Sequence, residues 1–189
     1  MLHELIAGDR VRLEPLEPRH EEPLWQAGQD ERTFRFFQTL ANESREAFHD
    51  WFELVRRDWL PFATVVDGRP LGSSSYGNVR ERDRVVEIGN TWLAPEAWGT
   101  GANVEAKLLM LRHAFEDEGF LRVEFKTEST NERSRAALAA LPAEFEGVFR
   151  RHMLVRGGRR RDSAWYAVID EDWPAVKANL ERRLAERAA

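Results

Sequence analysis

Glu87-Ile88-Gly89-Asn90-Thr91-Trp92-Leu93-Ala94-Pro95-Glu96-Ala97-Trp98-Gly99-Thr100-Gly101-Ala102-Asn103 carries a β-prone run into a loop with two glycines and on into a helix start. The run from Arg84 to Leu93 reads as a strand, and the stretch Val104 to Glu118 as the clearest helix in the chain. Val104, Leu108, Leu111 and Phe115 form its buried stripe, Glu105, Lys107, Arg112 and Asp117 its wet side, and Gly119 suits its C-terminal cap. A strand, a Gly-x-Gly loop and a helix N-terminus together present outward backbone N–H groups in front of a positive dipole end, which suits a pyrophosphate. Glycine is needed there because a side chain would block phosphate or forbid the dihedrals that aim those groups. The spacing is neither that of a Walker A loop, with its Lys-Ser/Thr ending, nor Gly-x-Gly-x-x-Gly, so nucleotide triphosphates and nicotinamide dinucleotides are disfavoured. Taken alone, the two glycines fit a plain tight turn as well as an anion site.

Upstream, Val11, Leu13 and Leu16 alternate with polar residues as an opening strand, and Glu21 to Gln29 reads as a short helix. Glu43 to Trp59 is an amphipathic helix with Phe48, Trp51, Phe52 and Val55 on one face, better read as core than as a binding stripe. Phe62 to Val66 and Leu71 to Tyr76 flank Asp67-Gly68, a hairpin signal. Downstream, Leu121, Val123 and Phe125 alternate with Arg122, Glu124 and Lys126 in a strand. Ser129-Thr130-Asn131-Glu132 matches a capping box, with Ser129 as cap, opening a short helix to about Leu141. Phe145 to Val155 and Ser163 to Ile169 are expected strands around Gly157-Gly158. An Asp172-capped helix with Val176, Leu180 and Leu184 follows. No repeat, low-complexity tract or linker interrupts the order, so residues 1–189 are read as one domain of mixed α/β class.

With 42% apolar and 11% aromatic residues, the chain has ample core material. It has no cysteine, which excludes disulfides, thiolate metal sites and an acyl-Cys intermediate. Met1 to Arg12 lacks the n- and h-regions of a signal peptide and no stretch is long and apolar enough to span a bilayer, so a cytoplasmic, membrane-free protein is expected. A formal charge of −5 speaks against general nucleic-acid binding. The five histidines show no ligand spacing, and no metal is expected.

The segment resembles the acyl-CoA-binding motif of the GNAT superfamily of N-acetyltransferases, in particular its RimJ/RimL-like branch. The resemblance runs through Leu13-Glu14-Pro15-Leu16, the strand ending Trp92-Leu93-Ala94-Pro95, Trp98-Gly99-Thr100-Gly101, and Val123 to Thr127 leading to Asn131-Glu132-Arg133-Ser134. It implies the GNAT fold, a central, mostly antiparallel twisted sheet flanked by helices, with acetyl-CoA as acyl donor and a primary amine, small molecule or protein N-terminus, as acceptor. The family's loop opens on Gln or Arg and closes on Gly or Ala; here Trp98 and Asn103 stand at those places, and Asn103 is expected to help cap the helix. By resemblance, Trp98, Gly99, Thr100, Gly101, Ala102 and Asn103 hold the cofactor chiefly through backbone groups, and Asn131 bonds the pantetheine arm.

An amine attacks a thioester only with its lone pair free, so its proton needs a route. Glu87, upstream on the same strand, is the candidate base; a salt-bridged strand Glu is the other reading. On a regular strand Glu87, Gly89 and Thr91 share a face, unless Gly89 marks a bulge. A backbone N–H at Leu93 or a neighbour is expected to steady the carbonyl oxygen. Many GNAT enzymes protonate the thiolate with a Tyr, where this chain has Leu138; Ser134 resembles the serine that serves in RimL-like members, or else bonds the helix backbone. His152 lies on a strand expected to line the acceptor side. Arg156 to Arg161, with Arg159-Arg160-Arg161, could bind an acidic acceptor or nucleic acid but reads better as a solvated turn, and the spare aromatic residues could complete the core or form a homodimer contact. Two rivals remain, a non-catalytic acyl-CoA sensor on the same fold and a nucleic-acid binder built on those arginines.

Overall fold

Asp67 and Gly68 both take positive φ, 48° and 83°, the conformation of a two-residue turn whose twist matches a hairpin. A computed structural model describes residues 2–188, so the two ends of the 1–189 span lie outside the described residues. In chain order the elements are β1 (Ile6–Ala7), β2 (Val11–Pro15), α1 (Glu21–Ala27), α2 (Arg45–Asp58), β3 (Leu60–Val66), β4 (Arg69–Arg80), β5 (Val85–Leu93), α3 (Ala102–Arg112), β6 (Arg122–Glu128), α4 (Glu132–Ala140), β7 (Glu144–Val155), β8 (Arg159–Ile169) and α5 (Trp173–Ala188). A π turn over His113–Asp117 prolongs α3, and Gly119 follows at φ +67°, the left-handed stop its position predicts.

All eight strands join one sheet in the order β1-β2-β3-β4-β5-β6-β8-β7. Every pairing is antiparallel except β5 with β6, the parallel junction that α3 makes by crossing over. That junction is short. Val85, Val86 and Glu87 pair with Arg122, Val123 and Glu124, and beyond them the two strands part. The sheet is therefore split from Glu87 onward, and the edges of β5 and β6 that face the split carry backbone groups with no ladder partner.

Each face of the sheet has its own core. One joins Val86, Ile88, Leu93, Met110, Leu111, Val123, Phe125, Tyr166 and Leu180, packing α3 and α5 on the sheet. The other joins Leu24, Phe34, Phe48, Trp51, Phe52, Val55 and Trp92 under α1 and α2. Ser44 caps α2, accepting from the Ala47 N–H at 3.0 Å, and the helix buries the stripe its periodicity predicts. At about 1.5–3 kcal/mol per fully buried large apolar side chain, that stripe is the main reason α2 stays docked.

The structure corrects several expectations. The wet side assigned to α3 holds only at its end: Asp117 is exposed and Arg112 half-buried, but Glu105 and Lys107 are both buried, because the helix is flanked by the sheet, β1 and α5 at once. Glu105 turns inward to accept the backbone N–H groups of Arg10 and Val11 at 3.0 and 3.2 Å. The cap of α4 is Asn131, whose Oδ1 accepts from the Ser134 N–H at 3.2 Å, while the Ser129 N–H is spent on the Asp162 carbonyl. β8 starts at Arg159, four residues earlier than the alternation shows, since the reversal is confined to Arg156–Gly158. The two-residue β1 is too short to carry a periodicity, so the opening strand read from sequence is β2 and β1 appears only in the structure.

Candidate active site at the split of the sheet

A bulge in β5 decides which way its side chains face. Opposite Ser73 and Ser75 of β4 lie Trp92 and Gly89, so β5 carries one residue more than its partner. Asn90 takes the strain at φ +48°, a left-handed value that asparagine tolerates better than most residues. Glu87 and Gly89 face Trp59 on the α2 side, whereas Thr91 faces Lys107 of α3. The shared face of Glu87, Gly89 and Thr91 expected of a regular strand is thus broken between the last two. After the bulge, the Ala94 N–H donates to the Leu71 carbonyl at 2.7 Å. Strand alternation then turns the N–H and C=O of Leu93 to the opposite edge, into the split.

The loop beyond β5 forms a cradle of unpaired backbone N–H groups. Gly99 and Gly101 have φ of +75° and +96°, and Gly101 occupies the cap position of α3 with no side chain capping it. Asn103 therefore lies within the first turn and is not the cap expected of it. The N–H groups of Gly99, Thr100, Gly101, Asn103 and Val104 find no acceptor among the described residues, as a bare helix start requires. Thr100 braces the loop, its hydroxyl donating to the Ala97 carbonyl at 2.8 Å and accepting from the Ala102 N–H at 3.3 Å. The outward carbonyls are occupied by cations: Arg187 donates to Gly99 and Arg10 to Thr100, the latter at 3.4 Å. N–H groups turned one way and arginine-held carbonyls the other leave the concave side positive, which fits a diphosphate.

Trp98 closes one end of this cradle. Its indole Nε1 donates to the Leu93 carbonyl at 2.7 Å. Its ring carries Arg133 of α4 at 3.9 Å and Arg32 at 4.9 Å, so two guanidiniums gather where the family pattern has one Gln or Arg. Burial, with the neighbouring charge of Arg32, lowers the Arg133 pKa from its usual value. Across the split, Asn131 spends its oxygen on the helix cap and keeps its amide nitrogen as a donor, while the Ser134 hydroxyl has no partner among the described residues.

On the α2 side the split holds a charged cluster. Glu87 is 1% exposed, and its Oε2 accepts from Asn78 Nδ2 at 2.6 Å and from Lys126 Nζ at 2.9 Å. A side chain at Gly89 would lie 3.1 Å from the other carboxylate oxygen, Oε1. The ring of Trp59 lies over Gly77 and Gly89, where any Cβ would meet it at 2.1 and 3.0 Å. Lys126 sits 5.9 Å from Trp59 and 5.5 Å from Trp165. His152 bonds the Ser163 hydroxyl at 3.1 Å through Nδ1. Burial first, then the charges of Lys126 and Arg161, hold its pKa below the ordinary histidine value, so the imidazole is neutral at pH 7. Both readings of Glu87 meet here, since the carboxylate is ion-paired yet keeps one oxygen free of protein donors.

Under the bulge, on the other face, Lys107 is buried with no carboxylate beside it. Its Nζ donates to Ser74 and Thr91 hydroxyls, each at 2.8 Å, and burial brings its pKa down to about 7. Trp59, Lys126 and Lys107 were not among the residues singled out from sequence. Their contacts are made across strands, and only the unusual pair of glycines at 77 and 89 left a trace of Trp59. The Arg159 to Arg161 turn is only partly solvated, because Arg161 is 8% exposed. Among the described residues, no group of three or more His, Cys, Asp or Glu side chains could hold a metal, and no helix is long and apolar enough to cross a membrane.

The sheet split lies beside a glycine-lined, uncapped helix start, an opening between strands that an extended anionic ligand can enter. The model of the GNAT acetyltransferase domain matches residues 10–143. The chain belongs to that family and is an acetyltransferase. It is similar to a GCN5-related N-acetyltransferase from Brucella melitensis, at 31% identity and a TM-score of 0.89, over 95% of this chain and 85% of that one. A T. thermophilus protein described as an acetyltransferase is 36% identical, with a TM-score of 0.88 over 96% and 97% of the two chains. Mycobacterium smegmatis RimJ, solved with CoA-disulfide, shares the fold at 22% identity and a TM-score of 0.78, over 96% and 95%. No curated protein sequence matches the chain.

Proposed function

We propose that the chain moves an acetyl group from acetyl-CoA directly to a primary amine, within the RimJ/RimL-like branch of its family. The observation that carries this reading is the split at Glu87: it lies between an uncapped α3 start and a buried carboxylate, so donor and acceptor can meet from opposite faces of one sheet. Acetyl-CoA, when bound, supplies a thioester carbonyl. Gly99 to Asn103 hold its diphosphate through backbone N–H groups, with Trp98 at the edge of the cradle and Ala102 opening the helix. The amide nitrogen of Asn131 donates to the pantetheine arm, and the outward N–H of Leu93 donates to the carbonyl oxygen as charge gathers there. Glu87, through its free oxygen, takes the proton of the incoming ammonium, with Lys126 and Asn78 fixing its orientation and His152 lining the approach. Ser134, one turn into α4, returns a proton to the departing thiolate.

The reading treats residues 1–189 as a single domain working in the cytoplasm, with no metal and no nucleic acid, and a homodimer as the state to be tested by light scattering. The decisive experiment is thiol release from acetyl-CoA across a panel of primary amines. Release that depends on the amine supports transfer; cofactor binding without release on any amine would leave only a binding module.

A further inference from the structure

We infer that the acceptor amine carries its own oxyanion, a carboxylate or phosphate, and that Arg161 with Trp165 binds it. The inference rests on the transferase reading above and names the substrate class of that same site. Arg161 and Trp165 project from the same face of β8 as Ser163, toward Lys126 and His152. Both are donors left without acceptors: Nε of Arg161 and Nε1 of Trp165 are buried and have no hydrogen-bond partner. Among the described residues the one hydrogen bond of the Arg161 guanidinium is a long one, 3.4 Å, from Nη1 to the Phe36 carbonyl. Glu128, the nearest candidate counter-ion, is already used, because Arg159 donates to both its oxygens at 2.6 and 2.9 Å.

A buried guanidinium without a carboxylate is costly, and native proteins keep such groups where a ligand completes them. The missing group must accept hydrogen bonds from a fork and an indole, and it should be anionic, which is the chemistry of a carboxylate or phosphate. The neighbourhood agrees. His152 is neutral and positive charges outnumber free negative ones, since Glu87 is shared with Lys126. Lys126 links the two ends, bonding Glu87 at 2.9 Å and lying 5.5 Å from the Trp165 ring, so one small molecule can present its amine to Glu87 and its anion to Arg161. The way in is graded, with Phe149 half exposed, Lys126 mostly covered and Arg161 and Glu87 buried.

The test is kcat/KM with acetyl-CoA for two matched pairs: alanine against alaninamide, and O-phosphoethanolamine against ethanolamine. The anionic member of at least one pair should win by about 10-fold or more, and which pair shows it separates carboxylate from phosphate. Arg161→Met should bring that ratio close to one by raising KM, and Arg161→Lys, which keeps the charge but not the fork, should restore part of it. Equal values within both pairs, or an unchanged ratio in Arg161→Met, overturns the inference while leaving amine acetylation standing. Should Arg161→Met fail to fold, a KM for the anionic amine unchanged in Arg161→Lys overturns it equally. If no amine releases thiol, the transferase reading fails instead. Calorimetric titration of the same four compounds then decides: binding of an anionic member that Arg161→Lys weakens supports the site, and no preference for either anion rejects it.

Discussion

The Arg133 guanidinium lies 3.9 Å above the ring centre of Trp98, joining the first turn of α4 to the loop that precedes α3 across the open part of the sheet. Arg32 reaches the same ring from the segment between α1 and α2. Asp30 already accepts from Arg32 at 2.8 and 2.7 Å, while Arg133 has no bonded acceptor among the described residues and is the guanidinium left to meet an anion. Arg133→Ala is therefore expected to weaken acetyl-CoA binding about 10-fold, and Trp98→Ala, which also frees the Leu93 carbonyl, by more. Isothermal titration at low and high salt reads this; affinities indistinguishable from the parent protein would take the pair out of cofactor binding.

Glu87→Gln keeps the hydrogen bond to Asn78 and the volume of the side chain but cannot hold a proton. Turnover should fall by roughly 10²-fold or more with acetyl-CoA affinity retained, the pattern of an interaction made mainly in the transition state. Steady-state rates and cofactor titration on the same preparation check it. A kcat within a factor of two of the parent would return Glu87 to a purely structural ion pair with Lys126.

Lys107 makes stability depend on pH in a stated direction. In the folded chain its pKa is lowered, by burial, to about 7, while the unfolded chain keeps the ordinary lysine value near 10.5. Between these values the unfolded state binds more protons, so stability rises with pH, at most by about 1.4 kcal/mol per unit from this group. Urea unfolding at pH 7, 8 and 9 should show that rise in the parent and a flatter profile in Lys107→Met. Parallel profiles would mean that the ammonium is as well solvated in the fold as outside it.

The two glycines beneath Trp59 predict unequal outcomes. A Cβ at Gly77 would lie 2.1 Å from the Trp59 ring, whereas one at Gly89 would lie 3.0 Å from it and 3.1 Å from Glu87. Gly77→Ala should destabilise by about 1–3 kcal/mol, as overpacking does. Gly89→Ala, with a smaller displacement but one that presses on the carboxylate, should cost more in turnover than in melting temperature. Thermal unfolding and rate measurements on both variants separate the two; a stable, fully active Gly89→Ala would show that Trp59 moves freely.

Much of the architecture was legible because it is local. The stripe of Phe48, Trp51, Phe52 and Val55, the Asp67-Gly68 turn and the alternation from Leu121 to Lys126 each report on their own neighbours in the chain. The hydrophilic residues of α3 misled because charge was read as exposure: two residues apart, Glu105 and Lys107 face different sides of the helix, one accepting from β2 and the other donating to two hydroxyls. The strand, glycine loop and helix start were readable in order, although the cap fell on Gly101 and not on Asn103. What stayed hidden around Glu87 is long-range. Nothing near Trp59 in sequence announces Gly77 and Gly89, and the arginine run at 159–161 gives no sign that its first member satisfies Glu128 while its third is enclosed.

The single extra residue at Asn90 sorts the strand into two halves with separate duties. Before it Glu87 and Gly89 lie on the α2 side with Trp59, and after it Thr91 lies under the roof helix and its lysine. Drawing Asn90 into regular pairing would swing Thr91 beneath Trp59 and strip Lys107 of a hydroxyl, whereas deleting it would leave Thr91 facing Lys107, so the facing of both compartments hangs on one surplus residue.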